Sequence, residues 1–198
     1  MELGMFGGSS FYMGDANQNV LFKNDKPAVG ILYRYNLNGR FSLKANLGMA
    51  GISGKDTDNN NYPDGVIAQF DSKILDAAVS LEFNFFEYGM PSYISGSSFI
   101  SPYLTIGGGV TGYENDKMRL SANIPFGLGI KTKVLDRFNV GLEWSFRKTY
   151  TDELDNLADP WLVESNFNKN KDWYSMLVLS ITYDISSIGS KCYKWCHI

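Results

Sequence analysis

Residues 39–51 read GRFSLKANLGMAG and alternate without a fault. Phe41, Leu43, Ala45, Leu47 and Met49 fall on one parity, and Arg40, Ser42, Lys44, Asn46 and Gly48 on the other. A period of two makes a β-strand with two unlike faces. Two architectures can absorb that pattern. In a soluble barrel or sandwich the apolar face lines a dry core and the charged face meets water. In a membrane barrel the apolar face meets lipid and the charged face is enclosed.

The pattern returns along the chain and predicts strands near residues 2–13, 28–37, 39–51, 74–86, 102–113, 122–134, 138–149 and 172–185. The first offers Leu3, Met5, Phe11 and Met13 on one face. The fourth sets Leu75, Ala77, Val79, Leu81, Phe83 and Phe85 against Asp76, Ser80, Glu82 and Asn84. The seventh sets Phe138, Val140, Leu142, Trp144 and Phe146 against Asn139, Gly141, Glu143, Ser145 and Arg147. The eighth sets Trp173, Leu177, Leu179, Ile181, Tyr183 and Ile185 against Tyr174, Ser180, Thr182 and Asp184. The only helical expectation is a short turn at residues 153–163.

The connections differ in length. Asn38-Gly39 is a strong hairpin signal between the second and third strands, and Leu135-Asp136-Arg137 joins the sixth and seventh. The fourth-to-fifth link is longer. The first-to-second, third-to-fourth and seventh-to-eighth connections are long and polar, with DTDNNNYPDG at residues 56–65 the clearest case. Long external loops and mostly short turns are the anatomy of an outer-membrane barrel, and this arrangement puts both termini on the periplasmic side.

Four features favour the membrane architecture. Several strands have the roughly 9–11 residues needed to cross a bilayer at a tilt. Aromatic residues gather mostly near strand ends, as interfacial girdles require: Tyr33, Tyr35, Phe83, Phe85, Phe138, Trp173 and Tyr183, with Trp144 a further candidate. The polar faces are rich in small residues that fit a narrow lumen. The same faces carry both signs: Arg34, Lys44, Lys131 and Arg147 against Glu82 and Glu143, with Asp76 and Asp184 in addition. Enclosed charges must pair, and this inventory permits it. The expected fold is therefore an all-β, eight-stranded antiparallel transmembrane barrel over residues 1–185, followed by a periplasmic tail at 186–198. A soluble lipocalin-like carrier is the competing reading.

Composition narrows the function. The 198 residues include 20 Gly, 12 Tyr and 13 Phe, a mixture suited to strands that bend and pack closely. A formal net charge of −3 gives no reason to expect a nucleic-acid partner. No apolar run reaches the roughly 18 residues of a transmembrane helix. No basic-then-apolar leader opens the sequence, so an exported protein would be read here from its mature start.

The segments ELGMFGGSSFYMGDANQ and KPAVGILYRYNLNGRFSLKANLGMAGISGKD, with the closing NKNKDWYSMLVLSITYDI, resemble the PorG-like family of outer-membrane β-barrels. The most specific pieces are Gly7 to Asp15, Tyr35 to Leu43, and Asp172-Trp173-Tyr174-Ser175. The resemblance implies a non-enzymatic, multi-pass outer-membrane component of the type IX secretion system. It also implies association with a periplasmic ring of PorK-like lipoprotein and PorN-like subunits, with outer-membrane lipids around the wall. It supplies no catalytic residue and no cofactor. The tail SSIGSKCYKWCHI departs from a chain that stops at its last strand.

Other chemistry finds little support. Hydrolytic outer-membrane barrels need a His beside a Ser, and the lone His197 lies in the tail. Asp56, Asp58 and Asn60 occupy EF-hand positions 1, 3 and 5, but Asn61 stands where Gly is needed and Ile67 where Glu is needed. Cys192, Cys196 and His197 give three zinc ligands where a structural site takes four. A disulfide between Cys192 and Cys196 is the other reading, and free thiols a third. TIGGGVTGY lacks the ending of a phosphate loop. An independent surface or adhesion barrel remains the alternative to the secretion role.

Overall fold

The computed structural model describes residues 1–12, 25–55, 69–88, 99–115, 117–135, 137–150 and 173–185. Eight strands run in chain order: β1 (Glu2–Tyr12), β2 (Lys26–Asn36), β3 (Phe41–Lys55), β4 (Gln69–Asn84), β5 (Ile100–Asn115), β6 (Lys117–Lys133), β7 (Phe138–Thr149) and β8 (Trp173–Asp184). Each pairs antiparallel with its chain neighbour, and β1 pairs with β8, so the sheet closes into a barrel without an edge. Closure runs from Glu2↔Asp184 to Tyr12↔Tyr174.

Alternation decides what faces where. Along β2, Val29, Ile31, Tyr33 and Tyr35 are exposed, while Ala28, Leu32 and Arg34 are buried. Along β4, Val79 and Leu81 are exposed, while Asp76, Ser80, Glu82 and Asn84 are buried. The wall is apolar and the lumen carries the charges. The lumen is narrow, so glycine admits large neighbours. A Cβ on Gly129 would lie 2.6 Å from Tyr103 Cζ, and one on Gly48 would lie 2.6 Å from Phe6 Cζ. Small residues on one strand thus make room for rings from another.

The two ends differ. At one end lie the tight turns, Met1 and Ile185, whose N–H donates to Met1 O at 2.8 Å. The β2–β3 turn is wider than the two-residue hairpin that Asn38-Gly39 suggests: β2 stops at Asn36 and β3 starts at Phe41. The Asn38 side chain explains this, because its Oδ1 accepts the N–H groups of Arg40 at 2.8 Å and Phe41 at 2.7 Å.

At the other end the strands outrun the sequence expectation. β3–β4 pairing continues from Gly51↔Lys73 to Lys55↔Gln69, whereas β2–β3 pairing stops at Ala28↔Ala50 and β4–β5 pairing at Ile74↔Tyr113. β5 and β6 pair as far as Asn115↔Lys117. The physical reason is that alternation marks only the wall that contacts lipid. Beyond it, backbone hydrogen bonds hold a hairpin together without an apolar face. Within β5–β6 the paired positions break between Ile106↔Phe126 and Gly109↔Asn123, beside Pro125, which has no N–H to give.

Phe11 corrects another expectation. It shares the outward parity of Leu3 and Met5 yet is only 1% exposed, so it is not part of the open wall. The helical turn expected at 153–163, the acidic loop at 56–65 and the tail at 186–198 with Cys192, Cys196 and His197 lie outside the described residues.

Candidate functional site: a charge-filled lumen inside an apolar wall

The lumen holds two ion-pair networks. The first, toward the terminal end, centres on Glu82. Arg34 approaches it side-on, with Nε donating at 2.9 Å and Nη2 at 3.1 Å. Lys131 Nζ donates to the same carboxylate at 3.0 Å, and Lys44 Nζ lies 3.8 Å away. Arg34 Nη1 donates to Glu2 at 2.7 Å, and Glu2 also accepts from Asn36 and Thr182, each at 2.9 Å. Lys44 Nζ donates to Glu143 at 2.5 Å, and Tyr103 Oη donates to the same oxygen at 2.8 Å. Five sequence candidates, Arg34, Lys44, Glu82, Lys131 and Glu143, thus meet in one cluster contributed by β2, β3, β4, β6 and β7.

The sixth candidate, Arg147, belongs to the second network. Its Nε donates to Asp76 at 3.0 Å. Asp76 also accepts from Asn46, Asn123 and Tyr174 at 3.0, 3.0 and 2.9 Å, which uses both oxygens twice. Tyr174 lies under the Arg147 guanidinium, 5.7 Å from its central carbon. The eight ionised groups of the two networks balance, four of each sign.

Between the networks the lumen is partly apolar. A cavity of about 20 Å³ is lined by Phe6, Leu32, Met176 and Val178 together with Arg34, Lys44, Glu143 and Arg147. That volume suits a single water molecule. Above it, Ala28, Ala50, Ile52, Ile74 and Tyr113 join the same buried apolar cluster. Sequence reading missed this layer because Leu32, Met176 and Val178 extend an apolar run across both parities, although Leu32 shares the inward parity of Arg34, and Met176 and Val178 that of Ser180.

Tyr88 closes the terminal end. It follows β4, its N–H donates to Gly39 O at 3.0 Å, and its hydroxyl donates to Asn139 at 2.8 Å. Lys131 Nζ sits between the Tyr88 and Tyr103 rings, 5.0 and 5.1 Å from their centres. Burial pushes the Tyr88 phenol above its ordinary pKa, so it stays a neutral donor.

The interfacial candidates all point outward. Tyr33, Tyr35, Phe85, Phe138 and Tyr183 are exposed near the terminal end, and Phe83 is half-buried between Phe41 and Phe85 at centre distances of 5.3 and 5.5 Å. Trp173 stands at the opposite end, edge-on to Phe126 at 5.9 Å. Trp144 differs from the strand-end pattern: it lies in the middle of β7. Its indole N–H donates to Ser175 Oγ at 2.8 Å, so the polar atom is satisfied on the wall and needs no headgroup water.

An uncharged outer band around a charge-compensated lumen is the architecture of a transmembrane β-barrel. Over residues 1–196 the chain matches the family described as Domain of unknown function (DUF6089), and it belongs to that family. No curated protein matches it significantly. Among solved structures it is similar to Neisserial surface protein A at 10% identity and TM-score 0.58, covering 92% of this chain and 96% of that one. It is also similar to the outer membrane protein OprG of Pseudomonas aeruginosa at 11% identity and TM-score 0.49, covering 92% and 96%. Ail of Yersinia pestis gives 12% identity and TM-score 0.47, covering 92% and 97%. These likenesses concern the fold. Among the described residues no group of three His, Cys, Asp or Glu could hold a metal ion.

Proposed function

We propose that this protein is an outer-membrane barrel that acts by binding rather than by catalysis, as an anchor or scaffold at the inner leaflet of that membrane. The observation that carries this reading is the filled lumen. Every charge in the two networks is committed to a partner, and Tyr88 occupies one mouth. Such an interior leaves ions no open path, and among the described residues it sets no Ser or Cys beside a His. What remains to act is the outer surface and the two ends.

The terminal end is the docking side in this proposal. It carries the short turn at residues 37–40 and the close of β6 onto β7, where the Val134 and Leu135 N–H groups donate to Phe138 O, with Leu37, Val134 and Leu135 exposed. It faces the periplasm if the long connections face outward. The segments resembling PorG-like barrels support a more specific role, holding the PorK-like lipoprotein and PorN-like ring of type IX secretion beneath the membrane.

A native pull-down tests this. The tagged full-length chain is expressed in a cell with type IX secretion, membranes are extracted in mild detergent, and co-purifying proteins are identified. Recovery of the ring lipoprotein from the membrane fraction is the expected result. Recovery of the barrel alone overturns the secretion role and leaves an independent surface barrel. Finding the chain in the soluble fraction overturns the membrane reading as well.

A further inference from the structure

We propose that Arg137 and Lys148, two outward cations on the β7–β8 face, bind lipid headgroup phosphates at the two faces of the membrane. Each is seated on an aromatic residue of β8. Lys148 Nζ lies 5.2 Å over the Trp173 ring. The Arg137 guanidinium carbon lies 6.0 Å from the Tyr183 ring, and its Nη1 donates to Tyr183 Oη at 3.0 Å. Phe138 packs edge-on against Tyr183 at 5.2 Å, and Asp184 N–H donates to Arg137 O at 2.7 Å, so both the ring and the backbone are held.

Among the described residues neither cation has a carboxylate in contact, and Asp184 acts on Arg137 only from beyond ion-pair distance. The cations of the two lumen networks, and Arg40 in the β2–β3 turn, each have a carboxylate partner. Neither Arg137 nor Lys148 forms an ion pair among the described residues. A phosphate supplies the missing charge, and the rest of the Arg137 fork offers it N–H donors.

Their spacing matches a bilayer. Eleven positions separate them along the chain, which at ~3.3 Å per residue spans roughly 36 Å. A strand tilt near 40° reduces that to about 28 Å, a little more than the ~25 Å height of the apolar band on barrels of this type. Between them β7 turns Phe138, Val140, Leu142, Trp144 and Phe146 outward, with no charge. A protein partner would account for a cation at one end. Lipid headgroups account for both, at the depth where an aromatic residue accompanies each.

The inference rests on the bilayer-spanning reading and is independent of the secretion role. Its test is native mass spectrometry of the full-length chain. The barrel is reconstituted in vesicles of phosphatidylglycerol and phosphatidylcholine, extracted, and its retained lipids counted. Arg137→Gln lowers retained phosphatidylglycerol about fivefold, the scale of one basic residue at an anionic surface. Adding Lys148→Gln removes most of the remainder. Arg40→Gln, at the same end but paired with Glu87, leaves retention unchanged. Undiminished retention in the double variant overturns the proposal, and so does an equal loss in Arg40→Gln. If Arg137→Gln does not fold, Tyr183→Phe keeps the ring, removes the hydroxyl that holds the guanidinium and gives a smaller loss; no loss there overturns the Arg137 site. A chain that fails to float with the vesicles refutes the bilayer reading itself.

Discussion

Arg34 and Glu82 face each other across the lumen with two parallel hydrogen bonds, Nε to Oε2 at 2.9 Å and Nη2 to Oε1 at 3.1 Å. Glu82 also takes Lys131, so one carboxylate neutralises part of two buried cations. Removing it strands Lys131 and leaves Arg34 with Glu2 alone. Glu82→Gln is expected to destabilise the barrel by about 3–5 kcal/mol, measured by urea unfolding in lipid vesicles. Replacing Glu2, Arg34, Glu82 and Lys131 together with Met should recover most of that loss, because the charges that remain, Lys44 with Glu143 and Arg147 with Asp76, keep their partners.

Gly129 gives a steric prediction. A side chain there meets Tyr103 Cζ at 2.6 Å and Leu142 O at 2.7 Å, and the backbone oxygen cannot move far. Gly129→Ala should cost about 1–3 kcal/mol. Gly108 is the control, since a Cβ there meets nothing within 4 Å. Gly108→Ala should leave unfolding unchanged; equal effects at the two positions would contradict the packing described.

The wall makes its own test. Leu142 is exposed in the middle of β7, among Val140, Trp144 and the β8 residue Leu179. Leu142→Arg should cost about 2–4 kcal/mol in a bilayer. The same variant measured in detergent, where a charge reaches water at small cost, should lose much less. A soluble barrel would show no such difference between lipid and detergent.

Conductance follows from the lumen. With Tyr88 across one mouth and the two networks filling the interior, the wild-type barrel should carry no steady current above leak in planar bilayers. A large, stable current would mean that the lumen is open.

Much of this was legible in alternation alone. Arg34, Lys44, Glu82, Lys131 and Glu143 stand on the polar parity of strands whose other parity is apolar, and a closed barrel gives them one place to go. What the period could not supply is register. That Arg147 joins Asp76 rather than Glu143 depends on which residues lie level across four strands. The apolar layer of Phe6, Leu32, Met176 and Val178 escaped for a related reason: an apolar residue on the inward parity looks like a continuation of its apolar neighbours. Residue type alone groups Trp144 with the strand-end aromatics, whereas its place in the middle of β7 and its bond to Ser175 depend on the fold. The extensions of β3 through β6 were invisible because strands outside lipid need no apolar face.

The pairing of β1 with β8 has a consequence for how the molecule comes into being. Glu2, at the start of the chain, holds Arg34 and accepts from Thr182, 180 positions later. Seven strands make a sheet with two bare edges, no enclosed interior and a half-dressed carboxylate. Neither edge can be tolerated in hydrocarbon. Sealing the cylinder, dressing its charges and residing in the membrane therefore depend on one and the same pairing, that of the first strand with the last.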